Sequence, residues 1–273
     1  TKVIIVGDSG QLAGIGQGAV LRDLLSSRSI PSIELKQIHR QAKESGILLE
    51  ANKIREGKQI LEKNAEGIYT FGEKKDFAAI VMSDKEEIMN NVLNICKNYK
   101  HSDITEFQVI TGLKRSGDLS VNNLNEQLQP IFNDIKNKKG LKRGRYSLYE
   151  GDKVIQNGNN YMDNVFNGTL GRIVKIEFNG FNELGKKVNL VHIDFDALDK
   201  IVIYEEGELD QIELAYAISA HRSQGSSIKH VLFAFDYSSY MLLSRQFVYT
   251  GITRASEGCI MICEERALRH AIR

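Results

Sequence analysis

The chain has 273 residues, of which 42% are hydrophobic and 26% charged, and its 36 Lys and Arg side chains nearly balance its 35 Asp and Glu side chains. This composition is that of an ordinary globular protein of two domains, with a core large enough to need no disulfide or metal staple. The net charge of +1 excludes an overall polyanion-binding field, although a local basic groove would not show in that sum.

The predicted elements of the first half alternate between strands and helices. They are, in chain order, a buried strand at 3–6, a short helix at 18–25, a strand at 33–38, a helix from Glu44 to Gly57, a helix at 88–99, a buried strand from Phe107 and a helix at 124–135. This alternation is typical of an α/β fold with a mostly parallel sheet.

The pattern changes between Tyr146 and Leu209, where short strand-like segments are separated by Asn/Gly-rich turns. We predict an inserted all-β unit here, of the size of a compact barrel. After it, IELAYAISAHRSQG is predicted to form a helix, HVLFAFD a buried strand and CIMIC the last strand of the resumed α/β domain.

Targeting and redox signals are sparse. Cys96, Cys259 and Cys263 contain no Cys-x-x-Cys pair, which favours a reduced, cytoplasmic protein. The run VIIV at 3–6 is too short for a signal peptide or a membrane span, so no membrane partner is expected. A strand that directly follows Thr1-Lys2 is an unusual start for a domain, and we interpret the chain as a fragment.

A glycine-rich stretch, Gly7-Asp8-Ser9-Gly10-Gln11, follows the first predicted strand, which is where α/β sheets bind ligands. It resembles a phosphate-cradling loop, but a P-loop needs a lysine, and none occurs between Lys2 and Lys36. Taken alone, this stretch is better interpreted as a plain turn.

Two further stretches carry arginines without nearby carboxylates, His39-Arg40-Gln41 and the segment from Tyr249 to Arg254, which is predicted to form the last turn of the chain. A guanidinium group matches the geometry of phosphate. For a lone arginine, a solvated surface position remains the better interpretation by about three to one.

The stretch from Ser219 to Ser227 gathers hydroxyl, imidazole, guanidinium and amide groups, which suits a phosphate backbone. It contains no Gly-x-Ser-x-Gly element, so a serine hydrolase is disfavoured. His221 fits a packed orienting residue as well as a catalytic base. The other histidines lack ligand spacing, so no metal site is assigned to the chain.

Six stretches resemble the motifs of one protein family, both in sequence and in their order along the chain. They are GDSGQLAGIGQGAVLRDLL, LKQIHRQAKESGI, VITGLKRSGDLSVNNLNEQLQ, GDKVIQNGNNYMDNVFNGTLG, AYAISAHRSQGSS and YTGITRA. They resemble superfamily 1 DNA helicases of the RecD-like group, which includes the exodeoxyribonuclease V alpha-type proteins. The resemblance implies RecA-like P-loop NTPase lobes with a parallel sheet and an inserted small barrel of the Src-homology-3 type. It divides the chain into the end of a first lobe (1–60), the first part of a second lobe (61–145), the barrel (146–210) and the remainder of the second lobe (211–273).

The resemblance also implies a function: the carboxy-terminal part of an ATP-dependent DNA helicase that moves 5′ to 3′ on single-stranded DNA in recombination or repair, alongside other recombination or repair proteins. ATP with Mg²⁺ would be required, and the Walker A and B strands with the Mg²⁺ ligands would lie in a missing upstream part. The chain alone is therefore expected to be inactive. The alternative is a non-catalytic nucleic-acid-binding or scaffold module derived from a helicase, but the retained Gln11, Arg40 and Arg254 favour the motor.

Within this resemblance, Gln11 would sense the γ-phosphate, and Arg40 and Arg254 would act as arginine fingers. The implied nucleotide-binding residues are Gly7, Asp8, Gln11, Arg40, Gln224, Gly225 and Arg254. The implied DNA-binding residues are Lys114, Arg115, Ser219, His221, Arg222 and Ser226. The chain has Ala13, Arg222 and Ser227 where the family usually has proline, lysine and an acidic residue, and the last change weakens the expectation of a ribose contact.

Overall fold

The computed structural model describes residues 3–14, 18–34, 44–100, 102–103, 105–196 and 198–273. These residues divide into two compact units. The first unit comprises the described residues within 1–89, 110–112 and 219–273, and the second comprises those within 90–109 and 113–218. The segment boundaries proposed near residues 60, 145 and 210 remain predictions, since compactness alone does not mark the limits of a lobe.

The regular elements alternate irregularly between helix and strand along the chain. They are α1 (Val20–Ser27), α2 (Gly46–Arg55), β1 (Gly67–Phe71), β2 (Phe77–Met82), α3 (Lys85–Asn98), β3 (Phe107–Thr111), α4 (Val121–Phe132), β4 (Leu141–Arg143), β5 (Tyr146–Leu148), β6 (Lys153–Gln156), β7 (Leu170–Phe181), β8 (Lys187–Phe195), β9 (Ile201–Glu205), β10 (Ile212–Leu214), β11 (Ala217–Ser219), β12 (Ile228–Phe235), α5 (Arg245–Ile252), β13 (Ala255–Glu264) and α6 (Glu265–Ala271). Short 3₁₀ helices occur at Glu206–Gln211 and Tyr237–Ser239.

The α/β part is built on a sheet in which the described strands follow the order β1-β2-β13-β12-β3-β11. Strands β2, β13 and β12 run parallel, with Ala78 opposite Ile260 and Phe233 opposite Met261, whereas β1 joins β2 in the antiparallel sense. Every residue of β3 is buried, as is typical of a strand covered on both faces. The predicted α/β class is confirmed, and the sheet is mixed.

Helix α5 is fixed against β12 by aromatic packing. The Phe247 ring lies 5.1 Å from the Phe233 ring and 5.5 Å from the Phe235 ring, measured between centroids. A Cβ on Gly251 would come within 2.6 Å of the Phe233 ring, so the helix approaches the strand this closely only with glycine there. Ser244 caps the helix by accepting a hydrogen bond from Phe247 N at 3.2 Å.

The second unit contains a small all-β sheet with the strand order β10-β6-β7-β8-β9, and each neighbouring pair is antiparallel. In β9, Val202 and Tyr204 are buried while Ile201 and Ile203 are exposed, which is the alternation of a strand with one face on a core. A separate hairpin pairs β4 with β5. The predicted all-β insertion is confirmed.

A buried carboxylate joins α4 to the start of this sheet. Asp152 accepts hydrogen bonds from Gln129 Nε2 and Asn133 Nδ2, both at 2.7 Å, from Tyr149 N at 2.8 Å and from the Tyr216 hydroxyl at 2.9 Å. Burial raises the pKa of Asp152, while these donors oppose that rise. The charge is therefore balanced by oriented dipoles within the second unit.

The adjacent Lys153 is expected to make the stability of the second unit depend on pH. Its side chain is buried, its Nζ donates to the Phe107 carbonyl oxygen at 3.1 Å, and burial lowers its pKa to about 7, opposed by Asp196 and Asp103. Since lysine titrates near 10.5 when unfolded, the unfolded chain binds more protons between these two pH values. We expect the free energy of unfolding to rise between pH 7 and pH 9, with a contribution from this lysine of up to about 1.4 kcal/mol per pH unit.

Urea unfolding of wild type and Lys153→Met at pH 7, 8 and 9 tests this expectation. In the methionine variant, the free energy of unfolding should rise less steeply with pH, because no ammonium group has to lose its proton on folding. If the free energy of unfolding rises equally with pH in both proteins, groups other than Lys153 cause the rise.

Three sequence predictions about elements are wrong. Residues Val3–Val6 form no strand and are 58 to 90% exposed, because none of the described strands pairs with their backbone. The segment from Ile212 forms β10, β11 and a turn instead of a helix, because Ile212 pairs with Gln156 of β6. Tyr249 lies within α5 and not in a closing turn. Of the strand predicted at 33–38, residues 33–34 are not in a strand and the remainder lies outside the described residues.

The other predicted elements are close to those observed. Helices α1 to α4 and strands β3, β12 and β13 occupy the predicted stretches, and Gly57 adopts φ +76° just after α2, as expected at a helix end. The three cysteines are buried and unpaired, and burial raises the pKa of Cys96 to about 12. Among the described helices, none is both long and apolar enough to cross a membrane.

Candidate functional site

The loop at residues 7–12, GDSGQL, is organised by one carboxylate in the first unit. Asp8 Oδ1 accepts a hydrogen bond from Gly10 N at 2.9 Å, and Asp8 Oδ2 accepts one from Gln11 Nε2 at 3.3 Å. The Asp8 carbonyl oxygen accepts a third from Gln11 N at 3.2 Å. An aspartate that bonds its own backbone two residues on is typical of tight turns, and here it also holds the Gln11 amide.

Helix α5 presents two hydroxyl groups to this loop. The Tyr249 hydroxyl donates to Asp8 Oδ2 at 2.9 Å, and Thr250 Oγ1 accepts from Leu12 N at 2.9 Å. Burial and the adjacent Asp8 raise the pKa of Tyr249 to about 12, so the hydroxyl keeps its proton at neutral pH. Sequence reasoning missed both roles, and the only local signal was the pair of adjacent hydroxyls in VYTG.

The stretch from Ser219 to Ser227 reaches the same loop through Gln224, whose Nε2 donates to the Leu12 carbonyl oxygen at 2.6 Å. Gly225 follows with φ +83°, a conformation that favours glycine. The Ser226 hydroxyl donates to the Ser223 carbonyl oxygen at 2.6 Å, so it stabilises the turn. Leu12 is thus bound at its N–H by Thr250 and at its carbonyl by Gln224.

Arg254 follows α5 and is buried, with 8% of its surface exposed. Its Nη1 donates to the Ser226 carbonyl oxygen at 3.2 Å, whereas its buried Nε has no hydrogen-bond partner among the described residues. Burial lowers the pKa of Arg254, and the neighbouring Tyr249 and Asp8 oppose that change. A buried guanidinium donor without an acceptor is unfavourable, and an anion at this position would satisfy it.

A cavity of about 550 Å³ adjoins the loop, within the size range of small-molecule sites. It is lined by Asp8, Ser9, Gln11, Leu12, Ala13, Gly14, Gly18, Ala19, Val20, Leu21, Arg22, Ser244 and Gln246. Arg254 is not among these residues, although Asp8, which lines the cavity, interacts electrostatically with it.

Most of the predicted site residues lie in one of the two units. Gly7, Asp8, Gln11, Ser219, His221, Arg222, Gln224, Gly225, Ser226 and Arg254 all belong to the first unit. Lys114 and Arg115 belong to the second unit, where both are exposed and Lys114 Nζ lies 2.9 Å from Glu213 Oε1. Arg40 lies outside the described residues. Within the described ranges, no group of three or more His, Cys, Asp or Glu side chains is arranged to hold a metal ion.

Three family models match the chain. They are an ATP-dependent RecD-like DNA helicase SH3 domain at residues 124–195, an AAA domain at 1–72 and a UvrD-like helicase C-terminal domain at 214–262. The ATP-dependent RecD2 DNA helicase of Deinococcus radiodurans is 29% identical over 256 residues, which cover 94% of this chain and 32% of that protein. This chain is thus similar to the RecD-like DNA helicases. The SH3 match confirms the barrel type predicted from the sequence.

Further matches are to a RecD subunit and to a Pif1 helicase. The RecBCD enzyme subunit RecD of Mycobacterium tuberculosis is 25% identical over 281 residues, or 99% of this chain and 46% of that subunit. The chain therefore spans about a third to a half of the length of these relatives. Among solved structures, a Pif1 helicase from Bacteroides in complex with ADP-AlF3 and ssDNA has a TM-score of 0.48 at 16% identity, covering 93% of this chain and 60% of that one.

Proposed function

We propose that the chain is the carboxy-terminal part of an ATP-dependent DNA helicase that moves 5′ to 3′ along single-stranded DNA in recombination or repair. The observation that carries the proposal is Arg254, a buried guanidinium group whose Nε lacks an acceptor among the described residues. A relative that spans 94% of the chain is named an ATP-dependent DNA helicase. Further recombination or repair proteins would be its partners.

In this proposal, Arg254 and Gln11 act on the γ-phosphate of ATP. A guanidinium group stabilises charge that develops as the phosphoryl group transfers, and a glutamine orients the attacking water or contacts a phosphate oxygen. The Gln11 amide is already fixed by Asp8, and the loop backbone is fixed by Thr250 and Gln224. Arg40 is proposed as a second arginine finger on the family resemblance.

The chain supplies no lysine of the P-loop type, since Gly-x-x-x-x-Gly-Lys-Ser/Thr does not occur in the sequence. We propose that this lysine and the Mg²⁺ ligands belong to an upstream part of a longer protein. When bound there, Mg²⁺ would supply positive charge that offsets the negative charge of the phosphates. The residues of this chain would contribute the orienting amide and the guanidinium group.

The DNA contacts are proposed to come from Lys114 and Arg115 in the second unit and from Ser219, His221, Arg222 and Ser226 in the first. Lys114 would have to exchange its ion pair with Glu213 for a phosphate group. Lys114 is exposed and Glu213 is half-buried, and ion pairs near the surface contribute little stability, about 0.2–1 kcal/mol, so the exchange costs little. Contacts of this set are directed at phosphate and carry no base preference.

Binding of the chain to single-stranded DNA is expected to be weak and to fall steeply with salt. Lys114→Ala and Arg222→Ala should each reduce the slope of log affinity against log salt by about one unit or less, because each removes one phosphate contact. Fluorescence anisotropy with a labelled oligothymidylate between roughly 50 and 200 mM salt measures the slope. Lys175→Ala is the matched control, since Lys175 forms an exposed ion pair with Glu177 at 2.7 Å. Unchanged slopes in both variants would remove these residues from the DNA path.

A further inference from the structure

We propose that Tyr249 is a positioning residue, which orients the Gln11 amide through the Asp8 carboxylate. This inference rests on the proposed function, because Gln11 acts on ATP only within it. In this proposal, the Tyr249 hydroxyl binds Asp8 and does not itself contact nucleotide or DNA. Its role is to hold the group that does.

The Asp8 carboxylate is shared between the two side chains. Oδ2 accepts the Tyr249 hydroxyl at 2.9 Å and Gln11 Nε2 at 3.3 Å, while Oδ1 accepts Gly10 N at 2.9 Å. Rotation of the carboxylate would therefore break bonds on both oxygens. Because the tyrosine bond is the shorter of the two on Oδ2, it anchors the oxygen that the amide uses.

Tyr249 is itself held in place by its helix. The preceding Val248 and the following Thr250 are fully buried, and Thr250 accepts the Leu12 N–H. Helix α5 thus contacts the loop through two hydrogen bonds, in which Tyr249 is the donor and Thr250 is the acceptor. Since the pKa of Tyr249 is raised to about 12, its hydroxyl remains a donor throughout the neutral range.

The orientation of the amide decides what Gln11 can offer to a ligand. With Nε2 directed at Asp8, Oε1 is the atom left to accept a hydrogen from an attacking water. Without the tyrosine hydroxyl, Oδ2 loses its stronger donor and the carboxylate can turn. The amide would then sample other orientations, and misplacement by a fraction of an ångström slows a reaction that depends on positioning.

Single-turnover ATP hydrolysis on saturating single-stranded DNA tests the proposal in the full-length protein. Tyr249→Phe keeps the ring and removes the donor, and we expect a hydrolysis rate about tenfold lower, with DNA affinity and thermal midpoint unchanged. Tyr240→Phe is the matched control, because Tyr240 is an exposed tyrosine of the same unit. Its rate should equal that of wild type.

A double-mutant cycle separates positioning from a general structural effect. In a Gln11→Ala background, Tyr249→Phe should cause no further loss, because the group that it positions is absent. The proposal is overturned if Tyr249→Phe lowers the hydrolysis rate equally in both backgrounds or does not lower it in wild type. It is also overturned if the fall in rate only follows changes in DNA affinity and thermal midpoint. If Gln11→Ala alone leaves the rate unchanged, the proposed role of Gln11 in ATP hydrolysis fails as well. The two failures are thus distinguishable.

Discussion

Arg254→Ala is expected to lower the rate of single-turnover ATP hydrolysis by the full-length protein by about 10³–10⁵-fold, which raises the barrier by about 4–7 kcal/mol. The guanidinium group is buried, holds the Ser226 carbonyl oxygen and has an Nε donor that no described residue accepts. In its proposed role, the guanidinium group stabilises charge that develops during phosphoryl transfer, so its loss would slow the chemical step and leave DNA contacts by other residues intact. Arg40→Ala is expected to behave in the same way, on the basis of the resemblance.

Two controls accompany this measurement. Arg254→Lys should rescue the rate poorly, because an ammonium group lacks the fork that bridges two phosphate oxygens. Arg266→Ala, which removes an exposed arginine of the same unit, should leave the rate unchanged. A fall of less than about threefold for Arg254→Ala, or one that only follows DNA affinity, would make Arg254 a structural residue.

The 273-residue chain alone is expected to show no DNA-dependent ATP turnover above background. Its sequence contains no P-loop lysine motif, and this lysine normally holds the β- and γ-phosphates. A steady-state ATPase assay with saturating single-stranded DNA is the measurement, with Arg254→Ala as the control for contaminating enzymes. Turnover that depends on DNA and disappears in Arg254→Ala would contradict the proposal that the phosphate-binding groups lie elsewhere.

Much of the fold follows from local sequence patterns. The incorrect predictions fall on segments whose secondary structure depends on pairing between strands. Helices α2 to α4 carry a clear apolar periodicity, and the turn-rich stretch between them and β12 predicts the small all-β sheet. The run from Ile212 to Ser219 is apolar enough for either a helix or a strand. Its true state depends on pairing of β10 with β6, which lies far upstream in the sequence.

The candidate site is predictable from sequence only through the resemblance. Gln11 and Arg254 are ordinary polar residues in their local sequence and gain meaning only from the order of the motifs, and Arg40 remains a prediction. The hydrogen bonds from Tyr249 to Asp8 and from Leu12 to Thr250 join residues 241 and 238 positions apart. No local pattern specifies such contacts, because they depend on how α5 packs against β12.

Unwinding of tailed duplexes by the full-length protein tests whether the chain is part of a helicase that moves 5′ to 3′ and depends on Arg254. Duplexes that carry a single-stranded tail of equal length on either the 5′ or the 3′ side are compared with and without ATP, in wild type and in Arg254→Ala. We expect ATP-dependent unwinding of the 5′-tailed duplex by wild type and its loss in Arg254→Ala. Equal binding of both duplexes without unwinding of either, or unwinding that survives Arg254→Ala, would contradict it.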